Sequence, residues 1–252
     1  MASTSSVIGI IPARYESSRL PGKVLAAIAG KPMIQHVYEG ASRATSLREV
    51  VVATDSHDII KAVEAFGGRA VLTDSGHATG TDRLAEVAAG LVDVDVIVNI
   101  QGDEPLIDPA AIDAVVAPLL ADRDCQMSSA MARLTAVDAD DPNVVKVVTG
   151  RDGCALYFSR APIPATRSTT PEMDRFRKHL GLYAYRRDFL LQLTQLEPTP
   201  LERSEALEQL RVLENGHRIQ MVELKNDVSI SVDTPADLER VRAILESRKS
   251  ID

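Results

Sequence analysis

The sequence of 252 residues has no tryptophan, few aromatic residues of any kind and only two cysteines. Cys125 and Cys154 have no neighbour at metal-ligand spacing, which excludes a disulfide scaffold and a zinc ribbon and leads us to expect reduced thiols in a cytoplasmic protein. No apolar run is long enough to span a bilayer, and the opening MASTSS lacks the apolar centre of a secretion signal. Positive charge is in the minority, 28 Lys and Arg against 36 Asp and Glu, for a net charge of −8. A field of that sign repels polyanions and argues against nucleic-acid and membrane-surface partners. Any anion site must therefore be a local basic pocket. Two glycine-rich phosphate motifs are also missing: there is no G-x-G-x-x-G and no G-x-x-x-x-G-K-[ST]. Their absence disfavours a nicotinamide-dependent oxidoreductase and a P-loop nucleotide hydrolase.

What is present begins at residues 10–23, IIPARYESSRLPGK. A buried apolar strand over residues 7–11 delivers the chain into a loop with three cations, Arg14, Arg19 and Lys23. Folding alone does not ask for that density of charge after a first strand, whereas a polyphosphate does. Charge-assisted hydrogen bonds from Arg and Lys contribute about 1.5–3 kcal/mol each, and Gly22 lets backbone N–H groups approach closely. In an α/β pattern the loop after the first strand is also where ligands bind.

Strand and helix patterns alternate through the first half. The spacing predicts helices over residues 32–44, 56–66 and 81–91, and strands over 50–53, 70–72 and 94–100, the last an almost unbroken β-branched run. This is the signature of a doubly wound, mixed but mainly parallel α/β sheet. Strands over 127–133, 144–149, 155–159, 180–185 and 218–223 point to a smaller, more antiparallel second-half subregion. Residues 161–178 read as a surface loop, 202–215 as one helix and 234–247 as a closing helix with Pro235 in its first turn. We expect a single domain over residues 1–252: a nucleotide-binding half over about 7–125, a second subregion over about 126–230, and a returning turn and helix over 231–252.

Two carboxylates stand out. Asp103, in QGDEP, follows the strongest strand, where a buried acid is costly unless a cation meets it; hard Mg²⁺ prefers such oxygens together with substrate phosphates. Asp233, in SVDTP, begins the last helix, where an N-cap would ask for the same residue. GTDR at 80–83 opens a helix whose N–H groups suit an anion or a base carbonyl, with Asp82 serving equally as a first-turn acid. HLGLY at 179–183 puts His179, Gly181 and Tyr183 on one strand face. Glu208 and Gln209 are polar within an apolar helical frame.

Taken in order, PAR, SxRxPGK, GTDRLAE, NIQGDEP, ALYFSR, HLGLYAYR, LEQLRVLE and VDTPADLERVR resemble the 3-deoxy-manno-octulosonate cytidylyltransferases, also called CMP-Kdo synthetases, over essentially the whole chain. The resemblance implies a nucleotide-diphospho-sugar transferase fold and transfer of CMP from CTP to the anomeric hydroxyl of Kdo, with release of pyrophosphate, for lipopolysaccharide biosynthesis. It implies that Arg14, Arg19 and Lys23 hold the triphosphate and that Arg83 and the backbone at Ala13 read the cytidine. Asp103 and Asp233 become the Mg²⁺ carboxylates and, with Lys23, the catalytic set. Gln101, Arg160, His179, Tyr183, Glu208 and Gln209 become the sugar-acid positions, with Arg160 suited to a carboxylate because its guanidinium binds bidentately. CTP and Kdo are then the substrates, and a homodimer is the expected assembly.

Three departures bear on this reading. Val24 stands where many members carry proline, Asp82 where glutamate is frequent, and the lead-in to Asp233 lacks an expected glycine. The loop between residues 164 and 178 is idiosyncratic and adjoins the sugar positions. The alternatives are therefore a cytidylyltransferase for 8-amino-Kdo or a sialic acid, or a non-catalytic nucleotide-binding module.

Overall fold

The first apolar run of the sequence becomes β1 (Val7–Pro12) in a computed structural model that describes residues 6–15, 20–135, 138–165, 176–225 and 230–249. The chain divides into two compact units: Met1–Asp113 together with Val228–Asp252, and Ala114–Asp227.

In the first unit β1 is fully buried along most of its length and has parallel neighbours on both sides. A short hairpin, β2 (Ala27–Ile28) and β3 (Lys31–Pro32), turns through Ala29 and Gly30, both at positive φ, and leads into α1 (Met33–Ala41). Then come β4 (Glu49–Thr54), α2 (His57–Ala65), β5 (Ala70–Leu72), α3 (Gly80–Ala89) and β6 (Val96–Asn99). The four long-range strands run β6-β1-β4-β5, all parallel, with Ile8 opposite Ile97 and Ile10 opposite Val51. The Val and Ile side chains of β1, β4 and β6 are buried on both faces, as a helix-covered parallel sheet requires. The loops that leave the carboxyl ends of these strands carry Ala13 and Arg14, Asp55, Thr73, and Gln101 to Asp103.

The tail returns to this unit. Its last helix, α8 (Pro235–Lys249), follows after the second unit in the chain, and Val232, Leu238 and Val241 join Ile28, Met33 and Leu106 in one apolar cluster. A backbone hydrogen bond from Val232 N to Asp103 O, 2.9 Å, ties the tail to the loop after β6. Burial of the tail therefore fixes Asp233 beside Asp103.

Helix α4 (Pro109–Ala121) leads on to the second unit; its run PAAIDAVVAPLLA is apolar nearly all round, so it offers no helical period to read. Strands β7 (Met127–Arg133), β8 (Lys146–Thr149), β9 (Ala155–Ser159) and β10 (Arg177–Arg186) follow, then α5 (Arg187–Leu193), α6 (Pro200–Glu205), α7 (Gln209–Glu214) and β11 (Gln220–Leu224). β10 is antiparallel to β7 and β8, and β8 to β9, while β11 is parallel to β7. Helix α8 (Pro235–Lys249) then closes the chain. The α/β class holds, with a parallel first half and a more antiparallel second. Among the described residues no helix is long and apolar enough to cross a membrane.

Three elements, α4, α5 and the β2–β3 hairpin, do not stand out in the sequence pattern, and one expectation is corrected. The segment from 202 to 215 is two helices: Ala206 takes the left-handed conformation (φ 50°) and folds α7 back on α6. The reason is the pair between Glu202 and Arg211. They are nine residues apart, about 13 Å along a continuous helix, yet Arg211 Nε lies 2.8 Å from Glu202 Oε2 and its Nη2 2.5 Å from Oε1. Both side chains are nearly buried, so only the broken helix satisfies them. The surface loop expected over 161–178 lies mostly outside the described residues, and its last two positions open β10.

Burial is the largest influence on Glu202 and works against its charge, but the hydrogen bonds from Arg211 and Thr199 N and the charges of Arg211 and Arg203 together outweigh it and hold the carboxyl below its usual pKa. A depressed carboxylate of this kind adds stability at neutral pH that is lost as pH falls through its lowered pKa. Arg211→Met, which strands Glu202, should lower the unfolding free energy by about 3 kcal/mol in urea titrations at pH 7, and Glu202→Leu/Arg211→Met should recover most of that loss. A single variant within about 0.5 kcal/mol of wild type would mean that the pair does not hold the bend.

Candidate active site

The first unit contains a cavity of about 440 Å³ at the carboxyl ends of β1 and β6, a size suited to a small ligand. Ala13, Arg14, Lys23, Arg83, Gln101, Asp103 and Asp233 line it, together with Pro12, Val24, His77, Ala78, Thr79, Gly80 and Gly102. Every described residue expected at the nucleotide and metal positions is thus in one place. Arg19 lies outside the described residues.

At its floor Lys23 joins the two acids. Lys23 begins a short 3-10 turn (Lys23–Leu25) after Gly22, whose left-handed backbone (φ 67°) is held by a hydrogen bond from Gly22 N to Tyr15 O. Its Nζ lies 2.6 Å from Asp103 Oδ2, 3.2 Å from Asp233 Oδ1 and 3.0 Å from Val232 O. Gly102, just before Asp103, sits where a Cβ would come within 3.0 Å of Pro12 O, so a side chain there would push the two strand-end loops apart. Glu104, the other acid of QGDEP, is nearly buried and accepts from Ser231 Oγ instead.

The cap on α8 settles what Asp233 does not do. Thr234 Oγ1 accepts from Asp237 N, and Asp237 Oδ2 accepts from Thr234 N at 2.8 Å, a reciprocal capping box. Asp237 supplies the acid that an N-cap needs, and the Asp233 carboxylate turns to Lys23.

The opposite wall is the start of α3. Thr79 caps it in a second box with Asp82, so Asp82 is the first-turn acid and not a ligand. Arg83, almost wholly buried, is held by Asp55 Oδ2 at 2.7 Å and Thr73 Oγ1 at 2.5 Å. These partners leave the ends of β4 and β5, and the guanidinium ties both strand ends to α3. His77 reaches the wall with its Nε2 2.5 Å from Glu86 Oε2, and Glu86 also accepts from Asp74 N. The His77 hydrogen bond holds the Glu86 carboxyl below its usual range.

The second unit holds the other candidates. The His179 and Tyr183 rings meet at 5.3 Å, and the edge of Phe158 packs on His179 at 5.0 Å. β10 carries a bulge between Leu180 and Tyr183, closed by Ser129, whose Oγ bonds Leu182 O at 3.0 Å and lies 2.9 Å from His179 Nε2. Tyr183, Glu208 and Gln209 line a crevice of about 10 Å³ with Met127, Tyr185, Leu193 and Val212, room for about one water. Arg160 commits three of its five N–H groups to carbonyls, Glu205 O at 2.7 Å, Pro142 O at 2.9 Å and Ala206 O at 3.2 Å. Glu205 in turn accepts from Arg160 N and Ser159 Oγ. Arg160 therefore also braces the turn ahead of Glu208 and Gln209, a task its sequence setting does not disclose.

The sequence model of a family described as Cytidylyltransferase matches residues 8–219. A 3-deoxy-manno-octulosonate cytidylyltransferase of Geobacter metallireducens is 55% identical over 245 residues, covering 93% of this chain and 96% of its own length. The chain belongs to the 3-deoxy-manno-octulosonate cytidylyltransferase family. A member from Geotalea daltonii is 54% identical over 252 residues, covering 96% and 99%. A solved CMP:2-keto-3-deoxy-manno-octonic acid synthetase complexed with CTP superposes with a TM-score of 0.92 at 44% identity, over 97% of this chain and 100% of that one. A cytidylyltransferase from Leptospira borgpetersenii, 17% identical with a TM-score of 0.59 over 98% and 96%, shares the fold alone. As a family member the chain is an enzyme, a CTP-dependent nucleotidyltransferase.

Sequence reasoning passed over His77, Thr79, Asp55, Ser129 and Glu205. His77 and Thr79 stand three and one residues before the GTDR motif, a signal within reach. The other three matter only through partners distant in the chain.

The His179 ring keeps some accessible surface, but the aromatic groups around it desolvate its charged form and lower its pKa to about 3. Burial, then the charge of Glu208, raises the pKa of Tyr183, so its hydroxyl stays protonated. The His179 imidazole should thus stay neutral down to about pH 4, and its NMR resonances should show no titration between pH 8 and 5. Because the folded pKa is depressed, its stabilising contribution is complete above the unfolded value and is lost as pH falls toward about 3. A midpoint near 6.5 would contradict this enclosure.

Proposed function

We propose that this chain transfers CMP from CTP to the anomeric hydroxyl of 3-deoxy-D-manno-octulosonate, giving CMP-Kdo and pyrophosphate. The observation that carries the reading is the convergence of Asp103, Asp233 and Lys23 in a cavity that Arg14, Arg83 and the start of α3 also line. Arg14 and Lys23 offset the triphosphate charge, with Lys23 nearest the phosphorus under attack. Arg83, immobilised by Asp55 and Thr73, and the backbone at Ala13 read the cytidine. To Gln101, Arg160, His179, Tyr183, Glu208 and Gln209 we assign the sugar acid.

The acceptor oxygen attacks the α-phosphorus in line. A new P–O bond forms, the bond to pyrophosphate breaks, and the hydroxyl proton passes to solvent. Such transfers rest on positioning and charge neutralisation, so no covalent enzyme intermediate is needed. His77, on the wall of the cavity, is engaged by Glu86 and is a poor candidate for a general base.

Among the described residues no group of three or more His, Cys, Asp or Glu side chains gathers as a metal site. Mg²⁺, however, is commonly bound through one or two carboxylates plus substrate phosphates, and the oxygens of Asp103 and Asp233 already converge on one cation. The donor set fits, and we assign Mg²⁺ to these two residues. When bound it would neutralise phosphate charge and lower the pKa of the acceptor hydroxyl. We further propose a cytoplasmic homodimer that supplies activated sugar acid for lipopolysaccharide biosynthesis. The two free thiols and Leu156, largely exposed on β9, are consistent with it.

The test is pyrophosphate release from CTP with Mg²⁺ and either Kdo, its 8-amino analogue, N-acetylneuraminate or no acceptor. Release that depends on Kdo is expected, and Asp103→Asn should slow it about a thousandfold while leaving the fold intact. Release with another acid only would overturn the acceptor, and an Asp103→Asn rate within about tenfold of wild type would remove Asp103 from the chemistry.

A further inference from the structure

Two carboxylates that approach one point repel each other unless a cation stands between them. In this chain the cation is internal. Lys23 Nζ contacts both acids and a third oxygen, Val232 O, and its side chain is only 14% exposed. All three ammonium N–H donors are thereby used. The backbone also holds Lys23 in place, through the Gly22 N to Tyr15 O and Lys23 N to Leu20 O hydrogen bonds. The arrangement is a formed ion-pair network, not a loose surface contact.

From this we infer that Lys23 is a built-in counter-ion that occupies the meeting point of Asp103 and Asp233 in the free protein and gives it up only when nucleotide and divalent cation arrive together. Two consequences follow from the charges. First, a divalent cation alone must displace a positively charged, triply hydrogen-bonded group, so the free protein binds it weakly. Secondly, a triphosphate offers the ammonium new anionic partners, so the nucleotide lowers the cost of moving it and frees the carboxylates in the same event. Lys23 then acts as a positioning residue that orders the binding, in addition to its contact with phosphate. The inference rests on the metal and triphosphate reading of this cavity, but its test needs neither nucleotide nor turnover.

The probe is Mn²⁺, titrated against full-length protein without nucleotide and followed by the loss of the free-ion electron paramagnetic resonance signal. Lys23→Met removes the charge at similar length, and Lys23→Gln keeps a hydrogen-bond donor without charge. Both should bind Mn²⁺ on the order of tenfold more tightly than wild type, and Lys23→Met/Asp103→Asn should lose the gain. Should Lys23→Met fail to fold, Lys23→Gln carries the test. Affinity in the neutral variants equal to or weaker than wild type, or no binding in any protein, overturns the inference. Pyrophosphate release in the wild type judges the catalytic reading separately.

Discussion

The ion-pair network of Lys23 with Asp103 and Asp233 is the interaction on which the rest of the first unit depends. It joins residues 80 and 210 positions apart in the chain. Two carboxylates that face one point repel each other, and the shared cation offsets that repulsion. The apolar work of the fold is arranged to make that meeting possible. β1 and β6 end side by side, Gly102 lets their loops touch, and burial of Val232, Leu238 and Val241 brings the tail back beside them.

Local capping then decides which acids are available for chemistry. Asp82 and Asp237 each serve a capping box, at α3 and α8, and Glu104 bonds Ser231. Among the described residues, Asp103 and Asp233 are the acids that face the cation. The same division of labour applies to the cations: Arg83 is immobilised by Asp55 and Thr73, while Lys23 is held by Asp103, Asp233 and Val232 O, the partners that in our proposal it exchanges for a triphosphate. A site of this type holds still where it recognises and yields where it reacts.

Much of this was legible in the sequence because the informative residues are local. The strand, the loop with three cations and the acid after the strongest strand are contiguous patterns, and β7 and β9 fall on the expected residues. Three features were not legible, each for a physical reason. α4 is apolar on almost every face and shows no period. The break at Ala206 sits in a good helix former and exists because Glu202 and Arg211 must pair. The roles of Ser129, Glu205 and Asp55 come from partners far along the chain, which no local pattern encodes. The sequence setting of Asp233 suits a helix cap equally well; the cap is in fact made by Thr234 and Asp237, a pairing only the folded backbone shows.

The central claim is that Asp103 and Asp233 act on one shared cation. It is tested most directly by a double-variant cycle on calorimetric binding of Mn²⁺ with a non-hydrolysable α,β-methylene CTP, comparing wild type, Asp103→Asn, Asp233→Asn and the double variant. If both carboxylates hold the same ion, each single substitution should weaken binding substantially and the double should be little worse than either, a coupling of at least about 1 kcal/mol. Strictly additive losses, or an Asp233→Asn variant that binds as well as wild type, would contradict the account.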